Sequence, residues 1–149
     1  METSLFKVII ADDHPHYKAG FCNALATRKD CNIIETVSNG EELIRLARSI
    51  KPHLVLTDII MPVINGIQAT RVIKEEQSHI KIIALALYQP ERIIEKMLRA
   101  GADGYLFKNC SAEIFHQAID EVMYRSGKYY AINEQGDDKV TSINGLELF

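Results

Sequence analysis

The chain has 149 residues, 47% of them apolar and 25% charged, with a formal net charge of −3, which suits one domain able to bury a core and requires no second. Lysine and arginine are scattered, so nothing marks a nucleic-acid surface, and no apolar run approaches the ~18 residues a membrane span needs. Cys22, Cys31 and Cys110 are odd in number and lack metal-type spacing; with no secretory leader at the N-terminus, they point to free thiols in the cytoplasm rather than a disulfide framework.

Short β-branched runs alternate with stretches of helical spacing. "FKVIIA" from Phe6 predicts a first strand that ends against Asp12 and Asp13, followed by a helix over Tyr17–Arg28. "CNIIETV" from Cys31 predicts the second strand, and Ser38-Asn39-Gly40-Glu41 has a capping-box spacing that opens a helix over Glu41–Ile50. "HLVLTD" from His53 reads as a strand buried on both faces, with Asp58 at its end and Pro62 four residues later. A helix over Asn65–Gln77 follows, then a strand "KIIALAL" from Lys81 and a helix over Glu91–Ala100. The fifth strand, "GYLF" from Gly104, leads to Lys108. The last helix, Ala112–Arg125, is capped by Ser111 and carries Ile114, Phe115, Ala118, Ile119, Val122 and Met123 on one face.

Five βα units call for a doubly wound α/β domain, because right-handed crossovers place helices on both faces of a parallel sheet. From Gly127 onward no period is sustained. We therefore expect a domain over residues 5–127 and a linker or C-terminal tail over 128–149, with local packing of Tyr129, Tyr130 and Ile132 as the alternative.

In such sheets ligands bind at the strand C-termini. If the first and third strands are neighbours, as in the order 2-1-3-4-5, then Asp12, Asp13 and Asp58 meet in one crevice and repel one another. A hard dication resolves that repulsion: Mg²⁺ takes one or two carboxylates, a backbone carbonyl and waters. Asp13 and Asp58 are expected to bind it directly, the Ile60 carbonyl to supply a further ligand, and Asp12 to act through a water. Lys108 ends the fifth strand at the same edge. A carboxylate nucleophile, a metal and a lysine together suit phosphoryl transfer. Each of these residues alone reads as a solvated loop charge; it is their joint placement at the ends of strands one, three and five that argues for chemistry.

The segments "ADDHP" (Ala11–Pro15), "TDIIMPVINGI" (Thr57–Ile67) and "GADGYLFK" (Gly101–Lys108) resemble the receiver domain of two-component response regulators, over roughly Phe6 to Arg125. The resemblance implies a flavodoxin-like (βα)5 fold and Asp58 as the phosphoacceptor. It further implies Asp12 and Asp13 in a Mg²⁺ site, Lys108 on the phosphoryl group, and Tyr105 at the aromatic switch position. Pro62 is expected to end the strand extension, and Gly66 to let the chain turn into the third helix. The implied partner is a sensor histidine kinase, with a small phosphodonor and a homodimer as further possibilities. "DDHP" and "GKYY" resemble the subclass joined to a helix-turn-helix output domain, which this chain does not include; DNA is then reached only through that domain, and no membrane is involved.

The chain departs from the family at Ala86, where a threonine or serine usually binds the phosphoryl group. A hydrogen bond to a charged group is worth roughly 1.5–3 kcal/mol, comparable to a whole allosteric coupling of about 1–3 kcal/mol. Switching weakened or rewired is thus expected, and bulky Leu87, with Tyr88 after it, is expected to slow access to Asp58. Two rivals stand beside the receiver reading: a phosphate-independent interaction module, and a Mg²⁺-dependent aspartyl phosphohydrolase. The hydrolase would want a carboxylate two residues after its nucleophile, where Ile60 stands.

Other residues read more plainly. His14 and His16 are expected on the surface rather than in a transition-metal site, and His53, His79 and His116 share no role. Cys110 is expected to flank a helix rather than react. Arg92, Lys96, Arg99 and His116 serve either a partner surface or solvent.

Overall fold

The computed structural model describes residues 5–87, 89–131 and 140–141; Tyr88 and Ile132 fall outside them. The elements in chain order are β1 (Phe6–Ala11), α1 (Pro15–Ala26), β2 (Cys31–Val37), α2 (Gly40–Ile50), β3 (Leu54–Asp58) and α3 (Gly66–Glu76). They continue with β4 (Lys81–Ala86), α4 (Glu91–Arg99), β5 (Gly104–Phe107), α5 (Ala112–Tyr124), β6 (Tyr129–Ala131) and β7 (Val140–Thr141). The sheet order is β2-β1-β3-β4-β5-β6-β7. Strands up to β6 pair in parallel and β7 is antiparallel to β6. The doubly wound α/β fold and the core order 2-1-3-4-5 are as expected.

Side-chain alternation divides the interior into two layers. Ile9, Val55, Ile82, Ala84 and Tyr105 face α2, α3 and α4. Val8, Ile10, Leu54, Leu56, Leu85 and Leu106 face α1 and α5, meeting Phe21, Leu25, Phe115 and Ile119. Every residue of β3 is buried, because β3 has a strand on each side and a helix layer on each face. Full burial of Leu54, Val55 and Leu56 contributes roughly 1.5–3 kcal/mol each, so this strand is a rigid mount for whatever follows it.

Three local expectations change. The cap of α2 is Asn39 rather than Ser38: its side chain accepts from the Glu42 N–H at 2.9 Å and donates to Glu42 Oε1 at 3.0 Å, so the capping box lies one residue later. Helix α1 starts at Pro15, whose missing N–H costs nothing in a first turn. The stretch that lacked a sequence period supplies β6 and β7, and Tyr129 and Tyr130 are buried against the sheet. Three residues are too few to show a period, and β5 is what aligns them.

Asp103 fastens this added edge. Its carboxylate accepts from Lys74 Nζ at 2.7 Å, Lys128 Nζ at 2.8 Å and the Ile82 N–H at 2.9 Å, and its carbonyl accepts from the Tyr129 N–H at 3.1 Å. One buried residue thereby joins α3, β4, β5 and β6.

Candidate functional site

The crevice lies at the C-terminal ends of β1, β3 and β5. Asp12 and Asp13 follow β1, Asp58 is the last residue of β3, and Lys108 follows β5. The Lys108 side chain is buried, and its ammonium donates to Asp12 Oδ1 at 2.8 Å and Asp58 Oδ2 at 3.0 Å. It also lies 5.4 Å from the centre of the Tyr17 ring. Asp12 is wholly buried, and its second oxygen, Oδ2, has no hydrogen-bond partner among the described residues. Asp13 stands at the exposed mouth. Ligand atoms of Asp12, Asp13, His14 and Asp58 all lie within 4.8 Å of one another.

Burial pushes the Asp58 carboxyl above the usual carboxylate range; the hydrogen bond and charge of Lys108 pull it back, while Asp12 and Asp13 add to the rise. One ammonium against three carboxylates leaves surplus negative charge. The oxygen-rich donor set and the orphaned Asp12 Oδ2 fit a hard dication such as Mg²⁺, which would be held by Asp13, Asp58 and Asp12.

The loop after β3 turns into α3 at Gly66, as expected, and the reason is space. The Gly66 N–H donates to the Ile59 carbonyl at 2.7 Å, and a Cβ on Gly66 would overlap the carbonyl of Asp58. The left-handed residue is Val63, with φ of 68°, an uncommon conformation for a β-branched side chain. Gly66 therefore lets α3 start against the backbone of Asp58, while Val63 makes the turn. Ile60, whose carbonyl was expected as a ligand, follows Asp58 by two residues and exposes its side chain.

Ala86 ends β4, fully buried, opposite Phe107 in the β4–β5 pairing. Leu87 beyond it is exposed at 40%. Tyr105 is wholly buried, with Phe107 edge-on at 5.5 Å between ring centres. Cys110 lines a cavity of 310 Å³ with Tyr17, Phe21, Lys108 and Phe115; burial pushes its thiol up to about 11, so it is not poised as a thiolate. His116 contacts Arg28 at 3.2 Å, and Arg99 pairs with Glu95 on α4. Arg92 and Lys96 are exposed.

His14 corrects the sequence reading. Its ring is half-exposed, as a surface residue would be, yet Nδ1 lies 3.2 Å from Asp12 Oδ1, 3.3 Å from Asp13 Oδ1, 3.5 Å from Asp58 Oδ2 and 2.9 Å from Lys108 Nζ. His16 is exposed and outside this group. Adjacency to Asp12 and Asp13 was the available signal for His14; the direction of its ring depends on how α1 begins and was not readable. Tyr17 was likewise missed, since a helical tyrosine carries no mark of a cation beside it.

Comparison with known proteins gives the same picture. The family model described as "Response regulator receiver domain" matches residues 8–120. The transcriptional regulatory protein LnrK of Bacillus subtilis is 34% identical over 115 residues, which are 77% of this chain and 52% of that protein. The response regulator GacA of Pseudomonas aeruginosa is 33% identical over 118 residues, 79% of this chain and 55% of that one. The chain thus spans about half the length of these relatives. Among solved structures, a LuxR-family two-component response regulator from Aurantimonas sp. SI85-9A1 superposes with a TM-score of 0.75 at 28% identity, covering 80% of this chain and 86% of that one. The isolated REC domain of RcsB from Salmonella enterica serovar Typhimurium shares the fold, with a TM-score of 0.79 at 23% identity over 88% of this chain and 96% of that one. With that match over most of its length, and with three aspartates and a lysine gathered at the strand ends, the chain belongs to the response regulator receiver domains.

Proposed function

We propose that Asp58 accepts a phosphoryl group from a phosphohistidine of a sensor kinase, or from a small phosphodonor, and that phosphorylation controls an output surface. The observation that carries this reading is Lys108 Nζ at 3.0 Å from Asp58 Oδ2, at the C-terminal edge of the sheet where Asp12 and Asp13 follow the neighbouring β1. The Asp58 carboxylate attacks phosphorus, forming a P–O bond, while the P–N bond to the donor imidazole breaks and its electron pair leaves with that ring. Lys108 steadies the equatorial oxygens as charge spreads over them. Mg²⁺, when bound, neutralises the phosphoryl charge. Asp12 and Asp13 hold that positive charge beside the reacting carboxylate, and buried β3 keeps the carboxylate aimed.

The domain is a signalling module rather than a turnover enzyme; it catalyses its own phosphorylation and dephosphorylation. A sensor histidine kinase in the cytoplasm is the natural donor. Among the described residues no helix is long and apolar enough to cross a membrane. In a longer protein the output is transcription, through a DNA-binding domain outside the receiver unit, with a homodimer as the active assembly. Buried Ala86 favours a second reading, a receiver-like interaction module that works without phosphate, because no hydroxyl at that position can register a phosphoryl group.

Intact mass after incubation with acetyl phosphate and Mg²⁺ tests the proposal. The wild type is expected to gain the mass of one phosphoryl group and Asp58→Asn none. If the wild type forms no adduct and binds no beryllofluoride either, the interaction-module reading replaces this one.

A further inference from the structure

The elements next to Asp58 differ in what they can transmit. Strand β4 ends in buried Ala86, which offers a phosphoryl group only a methyl. The loop after β3 is pinned, by the Gly66 N–H on the Ile59 carbonyl at 2.7 Å and by the Gly40 N–H on the Ile64 carbonyl at 2.9 Å. Lys108 is placed differently. Its ammonium reaches Asp58 Oδ2 at 3.0 Å and Asp12 Oδ1 at 2.8 Å, and it directly follows β5, with its N–H on the Ala86 carbonyl at 2.8 Å. The side chain is fully buried, so its stem has little room to adjust alone, and a pull on the ammonium acts on the end of β5.

On its far side β5 carries β6. Among the described residues two pairs join them, Gly104 with Tyr129 and Tyr105 with Tyr130. Without β6, β5 would be an open sheet edge, with backbone donors and acceptors free for another strand. Side chains make the seal. Lys128 Nζ donates to Asp103 Oδ1 at 2.8 Å, the Tyr129 hydroxyl to Gln117 Oε1 at 3.1 Å and the Tyr130 hydroxyl to the Ala102 carbonyl at 3.3 Å. Tyr130 also shares its core layer with Tyr105 and Phe107, so β6 rests on the strand that Lys108 ends.

The chain enters β6 under strain. Between α5 and β6 it turns through Ser126, whose φ is 53°, a left-handed conformation that disfavours any residue but glycine. The Gly127 N–H on the Glu121 carbonyl at 3.0 Å fixes the turn from the helix side. Once β6 leaves β5, nothing obliges Ser126 to keep that conformation. The docked strand is thus held against a bias to open, a property that strained residues confer on switch segments.

We propose that β6 is a detachable strap read out by the phosphorylation site: it seals the β5 edge while Lys108 bridges Asp12 and Asp58, and a phosphoryl group on Asp58 draws Lys108 off Asp12, shifts the end of β5 and releases it. The inference rests on the phosphoryl-transfer reading and names the element that the modification moves.

Hydrogen exchange of the full chain tests this at the Tyr129 amide, which donates to the Asp103 carbonyl at 3.1 Å. Wild type and Lys128→Gln are compared with and without beryllofluoride and Mg²⁺; the Lys128 side chain is exposed, so its loss leaves the core intact. Beryllofluoride is expected to speed exchange at Tyr129 in the wild type by about tenfold or more, while amides of β1 and β3 stay protected. In Lys128→Gln the amide should exchange faster before beryllofluoride is added. Because coupling is reciprocal, beryllofluoride should also bind that variant about fivefold more tightly than the wild type. Equal Tyr129 exchange in free and beryllofluoride-bound wild type, or equal beryllofluoride affinity in the two proteins, overturns the inference and confines the failure to β6. If the wild type binds no beryllofluoride and takes no phosphoryl group from acetyl phosphate, the phosphoryl-transfer reading itself fails and this inference falls with it.

Discussion

Asp58 is chemically useful because its surroundings pull in opposite directions. Burial disfavours its charge, Lys108 restores it, and a dication would restore it further. Under the phosphoryl-transfer proposal, Ala86 is the position expected to read the modification of Asp58. Its side chain is wholly enclosed at the end of β4, so a methyl group occupies the place where a hydroxyl would otherwise report a phosphoryl group. Ala86→Ser adds one oxygen, a smaller intrusion into a packed site than threonine would be. It is expected to strengthen the link between Asp58 and the loop and helix after β4 by roughly 1.5–3 kcal/mol. Hydrogen exchange in α4 with and without beryllofluoride measures this: the difference should be larger in Ala86→Ser than in the wild type. An identical difference in both would mean that the hydroxyl is irrelevant here.

At the scale of elements, the added edge strand depends on a charge cluster that no local pattern announces. Burial raises the Asp103 carboxyl, but Lys128, Lys74 and the Ile82 N–H together outweigh that and hold it below the usual carboxylate range. Lys74 is itself pulled down, because its burial costs more than Asp103 returns. A carboxyl depressed in the folded state favours folding above its ordinary value of 3.8, and that contribution disappears as pH falls through the lower folded value. Asp103→Asn should therefore cost roughly 3 kcal/mol near neutral pH, where it leaves two lysines unpaired. Urea unfolding at pH 7 and at pH 3 checks the sign: the gap between wild type and variant should narrow as the solution becomes acidic. A gap independent of pH would show that the carboxylate's charge contributes nothing to holding β6.

For the whole molecule, folding and cation binding are one linked equilibrium, since the unfolded chain has no reason to bring Asp12, Asp13 and Asp58 together. A dication at a hundred times its dissociation constant stabilises the fold by about 2.7 kcal/mol, or roughly 5–10 °C in Tm for a domain of this size. Mg²⁺ is expected to raise the thermal midpoint of the wild type by that order, and the gain should largely vanish in Asp13→Asn. Equal gains in both proteins would place the ion elsewhere.

The sequence by itself determined the alternation of strands and helices, the buried character of β3 and the strand-end positions of Asp12, Asp58 and Lys108. Those features are local: periods of two and 3.6, and a charge at the end of an apolar run, are written in neighbouring residues. Tertiary structure alone decided that Asn39 rather than Ser38 caps α2, that Gly66 is needed for room beside the Asp58 carbonyl, and that Tyr129 and Tyr130 extend the sheet. It also decided that His14 turns into the crevice. Most of these depend on an atom far away in the chain: α2 starts where the Gly40 N–H meets the Ile64 carbonyl, and Lys108 lies 94 residues beyond His14. A distance of that kind is set by the packing of whole layers, which no window of sequence contains.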